Sequence, residues 1–292
     1  MSPALSVSDL VNAFYADLQV RVSAGWITRQ THEWYRYQLD KLRAQCGELP
    51  AAELRGRHLT GITLTHHFVR AVKALYKFGA DEEQALVPRN PFTKLRTPAC
   101  GRRDRILTPA EVVKLYRAAT PLFRSFLFLQ LHLTCRPGEL RKLRWNQIDF
   151  DRRTITLGEF KAKNRRKDGL KTRVIPMDQD AARRLARWYA ERNPLPSEHV
   201  FIGRRGKPWT PNAVRTHMRN ARKRAGLDGG HGERVVCYTM RHTSATQAVR
   251  DGMPENVLSV IMGHTNPAMT RRYQHLQPDD LVNAVDRARA RA

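Results

Sequence analysis

The sequence predicts a mainly α-helical protein with one small antiparallel β-sheet, organised as two domains. Three observations carry this. Apolar residues recur at helical spacing through residues 7–78. One pair of short alternating runs, Thr154–Leu157 and Thr172–Ile175, reads as two strands. Between these regions, prolines and a basic run interrupt the periodicity.

Residues 7–45 read as two amphipathic helices. Ser8 is the expected cap of the first, with Leu10, Val11, Phe14 and Leu18 on one stripe. Thr31 is the expected opening of the second, with Tyr35, Leu39 and Leu42 at helical spacing. A third covers Thr60 to Phe78, apolar at Phe68, Val69, Val72, Leu75 and Tyr76. Trp34, Tyr35 and Tyr37 are assigned to the core. Together these make an all-helical domain over residues 1–95. Pro88, Asn90-Pro91, Pro98 and the run Gly101-Arg102-Arg103-Asp104-Arg105 then read as a tether, with the basic linker placed at 96–106 and Arg102 and Arg103 among its charges.

The second domain spans 107–292. Leu107-Thr108-Pro109-Ala110-Glu111 spells a helix start, with Thr108 as cap, Pro109 first in the helix and Glu111 closing a capping box. The apolar run Phe123–Leu133 must be a buried helix. The two strands follow, joined by a basic stretch, and from Asp180 onward the chain reads as helical again. At the end, Pro278-Asp279-Asp280 opens a last helix whose stripe Leu281, Val282 and Val285 is too short to hold it alone, so it needs a docking surface.

Composition narrows the function. Lys and Arg number 52 against 27 acidic residues, a formal charge of +25. A field of that size suits a partner with many phosphates, because displaced counterions favour binding. The 41% hydrophobic content supports a sizeable core. The four cysteines form no CxxC pair and no zinc-spaced Cys/His set, which points to a reducing compartment and no metal site. The start MSPALSVSDLVNAF lacks a signal-peptide pattern and no 18-residue apolar stretch occurs, so the expected location is cytoplasmic. No phosphate-cradling GxxxxGK[ST] is present, and no acidic cluster suited to Mg²⁺.

Four segments carry chemistry. Thr134-Cys135-Arg136-Pro137-Gly138-Glu139 sets an arginine at a helix N-terminus, where anions are favoured, with Glu139 placed to brace it. Phe160–Arg173 holds Lys161, Lys163, Arg165, Arg166, Lys167, Lys171 and Arg173 against one acid, Asp168. Tyr238-Thr239-Met240-Arg241-His242-Thr243 is the third. Gly263-His264-Thr265-Asn266 followed by Thr270-Arg271-Arg272-Tyr273 is the fourth.

These segments, in this order, resemble the catalytic end of the tyrosine recombinases, the phage-integrase family. "TMRHTSAT" and "MGHTNPAMTRRY" carry the likeness, and Arg136 to Glu139 resembles the family's first arginine box. Arg241 precedes His264 by 23 residues, and His264 precedes Tyr273 by 9. The resemblance covers roughly residues 107–280, and the N-terminal helical unit is similar to the family's core-binding domain. It implies site-specific recombination of double-stranded DNA through a 3′-phosphotyrosine, without metal, ATP or another cofactor, by a homotetramer on two DNA sites, in a bacterial or phage setting. It further implies roles. Tyr273 is the nucleophile, Arg136 and Arg241 clamp the scissile phosphate, and His264 helps deprotonate the tyrosine or donates to the phosphate. Lys161, with Lys163 as alternative, protonates the leaving 5′ oxygen. Glu139 orients Arg136, and Lys163, Arg165, Arg166 and Lys167 contact DNA. The terminal helix would dock on a neighbouring subunit.

One departure is plain: the family usually carries His three residues before the second arginine, and here Tyr238 stands there. A phenol can donate one hydrogen bond to a phosphate oxygen. His242, about 100° round a helix from Arg241, is expected to face away and to be structural. Two other readings fit the composition. One is a DNA-binding regulator that uses residues 243–273 as a helix-turn-helix; the other is a DNA-relaxing enzyme of the type IB topoisomerase kind.

Overall fold

A computed structural model describes residues 4–101, 105–158, 172–229, 234–264, 266, 269–270 and 273. The chain divides into two compact units after Gly101.

The first unit is helical. Helix α1 (Val7–Ser23) is capped by Ser6, not Ser8: Asp9 N–H donates to Ser6 Oγ at 3.1 Å, and Ser6 N–H donates back to the Asp9 carboxylate at 3.0 Å. The helix starts there because Val7 belongs to the buried stripe with Leu10, Val11, Phe14 and Leu18. Helix α2 (Arg29–Cys46) likewise starts before the expected Thr31, with Thr28 as cap. Helix α3 (His66–Gly79) starts later than expected. Gly61, at φ +96°, turns the chain, and Thr65 caps the helix by accepting from Phe68 N–H. Phe14 meets Tyr35 edge-on at 5.3 Å and Phe78 at 5.2 Å, so Tyr35 serves the core as expected. Trp34 packs on it too. Tyr37 does not: it is exposed, with Lys41 Nζ 4.5 Å above its ring. The proline-marked stretch also contributes to this core, since Phe92 is buried against Tyr76.

The second unit opens on α4 (Pro109–Ala118), capped by Thr108 with Glu111 reciprocating, as the sequence spells. Helix α5 (Pro121–Leu133) is buried on most of its surface, with Phe123 and Phe126 packing near Phe201 and Trp209. A short helix, α6 (Pro137–Lys142), follows. The sheet has three antiparallel strands in the order β1 (Ile148–Asp149), β2 (Thr154–Leu157), β3 (Arg173–Pro176). The two-residue β1 is too short for alternation to reveal it. Ile155 pairs with Ile175 and Leu157 with Arg173. On β3, therefore, Arg173 and Ile175 face inward while Val174 is 49% exposed. After the sheet come α7 (Gln179–Arg192), α8 (Pro211–Arg224), α9 (Cys237–Arg250) and α10 (Glu255–Met262), separated by irregular stretches rather than one helical run. No helix among the described residues is long and apolar enough to cross a membrane.

Candidate active site

Helix α9 is polar on its buried side, with Thr239, Arg241, Thr243, Ser244 and Thr246 all shielded from solvent. A buried polar group left unpaired costs about 1–3 kcal/mol, so each must find a partner. Thr243 Oγ1 donates to Thr239 O at 2.9 Å and accepts from Leu107 N–H at 3.0 Å. Ser244 Oγ donates to Leu131 O and lies 2.8 Å from Thr134 Oγ1. These bonds tie α9 to the end of α5 and fix the axis that carries Arg241. Thr134 itself sits at φ 49°, a left-handed conformation disfavoured for a β-branched residue. That turn aims its carbonyl at Arg241, whose Nη1 donates to it at 2.8 Å.

Three guanidinium groups converge on the C-terminus of α10, where helix carbonyls and the negative end of the dipole favour cations. Met262 O accepts from Arg241 Nη2 at 2.9 Å and from Arg173 Nη1 at 2.8 Å. Gly263 O accepts from Arg136 Nη2 at 3.0 Å. Arg136 reaches this point from the N-cap of α6, with Pro137 first in that helix. Glu139 braces it as expected: Oε2 accepts from Arg136 N–H at 2.7 Å and Oε1 from Arg136 Nη1 at 2.9 Å. The same carboxylate takes Arg173 Nη2 at 2.5 Å. Burial opposes ionisation of Glu139, but Arg173, the Arg136 N–H and the Arg136 guanidinium outweigh it and hold its carboxyl below the ordinary range. Burial, and then the Arg136 charge, push Arg241 down from the usual arginine value, against the pull of Tyr273, Cys135 and Glu139. Arginine starts so high that it stays charged. Among the described residues, three guanidiniums face one carboxylate, a net positive cluster suited to a phosphodiester. Burial and the neighbouring Glu139 push the Cys135 thiol up to about 12, so it stays protonated.

His264 follows directly. Its Nε2 lies 3.2 Å from Arg241 Nη2 and its Nδ1 2.7 Å from Thr270 Oγ1. A guanidinium only donates, so Nε2 is the acceptor and Nδ1 carries the proton. Tyr273 is 6% exposed and packs with Ala245, Leu258 and Met262. The His264 ring lies nearly parallel to its ring, with centroids 6.3 Å apart. The Tyr273 hydroxyl lies 3.1 Å from His242 Nδ1.

The structure thus brings Arg136, Glu139, Arg241, His264 and Tyr273 together. Tyr238 is half exposed on the first turn of α9, and its hydroxyl makes no hydrogen bond among the described residues. Lys161, Lys163, Arg165, Arg166, Lys167, Arg102, Arg103 and the expected terminal helix after Pro278 lie outside the described residues. Two residues were missed by the sequence reading. Arg173 was counted only as one cation in a basic run, although its inward parity with Ile175 marked it as buried. His242 does not face away from the site. Tyr273 lies along the face of α9 that carries Ala245 and Val249, and a residue three before Ala245 shares that face. His242 does point about 100° away from Arg241 round the helix, and that direction leads to the Tyr273 hydroxyl.

The model of the phage integrase family matches residues 105–279. The tyrosine recombinase XerC of Xanthomonas campestris pv. campestris (strain B100) is 27% identical over 289 residues, covering 97% of this chain and 83% of its own. A tyrosine recombinase of Pseudothermotoga lettingae is 27% identical over 203 residues, 68% of this chain and 66% of its own. Among solved structures, the Tn1549 transposon integrase in complex with a circular intermediate DNA is similar in fold, with a TM-score of 0.70 and 20% identity, covering 98% of this chain and 100% of the other. A lambda integrase tetramer bound to a Holliday junction has a TM-score of 0.71 at 15% identity, covering 90% and 79%.

Proposed function

The chain belongs to the phage integrase family and is a tyrosine-type site-specific recombinase, and on that premise we propose that it cleaves and rejoins DNA through a covalent bond between Tyr273 and the 3′ phosphate. The observation that carries the residue assignment is the convergence of Arg136, Arg241 and His264 on the C-terminal end of α10, beside the Tyr273 ring. Arg136 and Arg241 hold the non-bridging oxygens of the scissile phosphate. An arginine carries five N–H donors in a rigid fork, more than the carbonyls of Thr134, Met262 and Gly263 take up, and so can serve backbone and phosphate together. Glu139 keeps Arg136 aimed. His264 sits on the phosphate side, linked to Arg241. Tyr238, exposed on the turn before Arg241, donates one hydrogen bond to the phosphate. Lys161, or Lys163 two residues on, protonates the leaving 5′ oxygen.

The cations in this scheme are side chains, so it needs no metal ion for charge stabilisation. The phosphotyrosine keeps the energy of the phosphodiester, so rejoining needs no ATP. Double-stranded DNA is the substrate, met by the +25 charge and by Lys163, Arg165, Arg166, Lys167, Arg102 and Arg103. Residues 1–95 grip DNA as a helical domain, 96–106 form the tether, and 107–292 carry the chemistry. Four subunits assemble on two sites, with the segment after Pro278 docking on a neighbour; the fold shared with the lambda integrase tetramer supports this reading. Work on chromosomal or phage DNA places the protein in the bacterial cytoplasm.

A nicked suicide substrate tests the assignment. The wild-type protein should trap a covalent DNA adduct that survives denaturing electrophoresis. Tyr273→Phe should form none, and an adduct from that variant would overturn the assignment.

A further inference from the structure

We propose that His242 is a catalytic residue that takes the proton from the Tyr273 hydroxyl as the tyrosine attacks the phosphate. The inference deepens the reading of Tyr273 as the nucleophile and rests on it.

A phenol is a poor nucleophile near neutral pH until a neighbour removes its proton. The neighbour must lie within hydrogen-bond reach of the hydroxyl. His264 is the expected helper, and its geometry points elsewhere. Its Nδ1 holds Thr270 Oγ1 at 2.7 Å, and its Nε2 accepts from Arg241 at 3.2 Å. Its ring runs nearly parallel to the Tyr273 ring, 12° apart in plane, with the centroids 6.3 Å from each other. A histidine that accepts from a guanidinium spends its lone pair on a cation and is a weak proton acceptor while that bond lasts.

His242 has the complementary geometry. Its Nδ1 is 3.1 Å from Tyr273 Oη, and its ring is tilted 38° to the phenol with centroids 5.7 Å apart. It is half-buried on α9, immediately after Arg241. One turn of backbone therefore sets both a phosphate clamp and a proton acceptor for the nucleophile, aimed about 100° apart round the helix. In the tautomer this step uses, His242 carries its proton on Nε2 and presents the Nδ1 lone pair to the hydroxyl.

The step balances. Tyr273 Oη forms its bond to phosphorus while its proton passes to His242 Nδ1. The bond from phosphorus to the 5′ oxygen breaks, and that oxygen takes a proton from the lysine acid. On rejoining, the 5′ hydroxyl attacks phosphorus and returns its proton to the lysine. The phenolate oxygen leaves and recovers its proton from His242. No oxidant, metal or further reactant enters.

His242→Asn separates proton transfer from positioning. Asparagine places its amide oxygen where Nδ1 stood, so it accepts the hydroxyl hydrogen bond but takes up no proton near neutral pH. The rate of adduct formation on nicked suicide DNA is measured in a single turnover for the full-length wild-type protein, His242→Asn, His242→Ala and Tyr273→Phe, with DNA affinity measured alongside. Both His242 variants should bind DNA within about twofold of wild type and form the adduct about 10²-fold more slowly, the lower end of the range for general-base loss. Less than about tenfold slowing in His242→Asn overturns the proposal and reduces His242 to a positioning residue. If His242→Ala binds DNA poorly, its packing role is at fault and His242→Asn alone decides. An adduct from Tyr273→Phe would instead overturn the nucleophile assignment itself.

Discussion

Arg173 lies against Gly263 so closely that the glycine has no room for a side chain. A Cβ there would stand 2.2 Å from Arg173 Nη1 and 2.8 Å from Cδ. Gly263 also takes φ +65°, ending α10 in the left-handed region that glycine adopts freely. Both requirements serve one arrangement: the turn presents the Met262 and Gly263 carbonyls, and the bare Cα leaves room for Arg173 to reach Met262 O.

Gly263→Ala should accordingly destabilise the protein more than Gly226→Ala. Gly226 has φ +68° with nothing within 4 Å of an added Cβ, so alanine there meets only the left-handed cost of about 1–2 kcal/mol. At Gly263 the same cost is joined by displacement of Arg173 from Met262 and Glu139. Urea midpoints of the two variants check this, and equal midpoints would mean that Arg173 moves aside freely.

Glu139→Gln should lower stability at neutral pH by roughly 3 kcal/mol, because Arg173 is 4% exposed and loses its counter-charge. The folded-state carboxyl titrates below its ordinary value. Its contribution is therefore complete above the usual carboxylate range of about 4.3 and is lost as pH falls through the lower, folded value. The stability gap between wild type and Glu139→Gln should narrow as pH drops below that range, as read by urea unfolding at a series of pH values. A gap independent of pH would show that the carboxylate charge is not what Arg173 needs.

Arg136→Ala and Arg241→Ala should each slow cleavage by about 10²-fold or more, since the proposed roles set both on charge that develops in the transition state. DNA affinity should fall far less, because many other basic residues share that load. The two should differ in stability. Arg241 is 3% exposed and bonds Thr134 and Met262, whereas the Arg136 side chain is 25% exposed. Thermal melting should rank Arg241→Ala below Arg136→Ala, and parallel loss of binding and cleavage would contradict the catalytic role.

Lys161→Ala should recover cleavage on DNA carrying a 5′-bridging phosphorothiolate, whose sulfur leaves without a proton. Rescue of Lys163→Ala in place of Lys161→Ala would exchange the two assignments.

Features that depend on neighbours a few residues away were legible in the residue order. The Thr108–Glu111 box was legible because its partners are three residues apart, and the burial of Phe123–Leu133 because apolar side chains have one place to go. Cap positions were less legible: Ser6 displaced Ser8 because Val7 joins a core built partly by α3. The resemblance to the tyrosine recombinases likewise marked Arg136, Arg241, His264 and Tyr273 as one set. What those residues touch depends on long-range packing. Arg136, Arg173 and Arg241 are held by the main-chain carbonyls of Thr134, Met262 and Gly263, and every residue has a carbonyl, so no side-chain type announces those acceptors. His242 meets Tyr273 only because residues 31 apart in sequence fold onto the same face of α9, a long-range contact that no local spacing encodes.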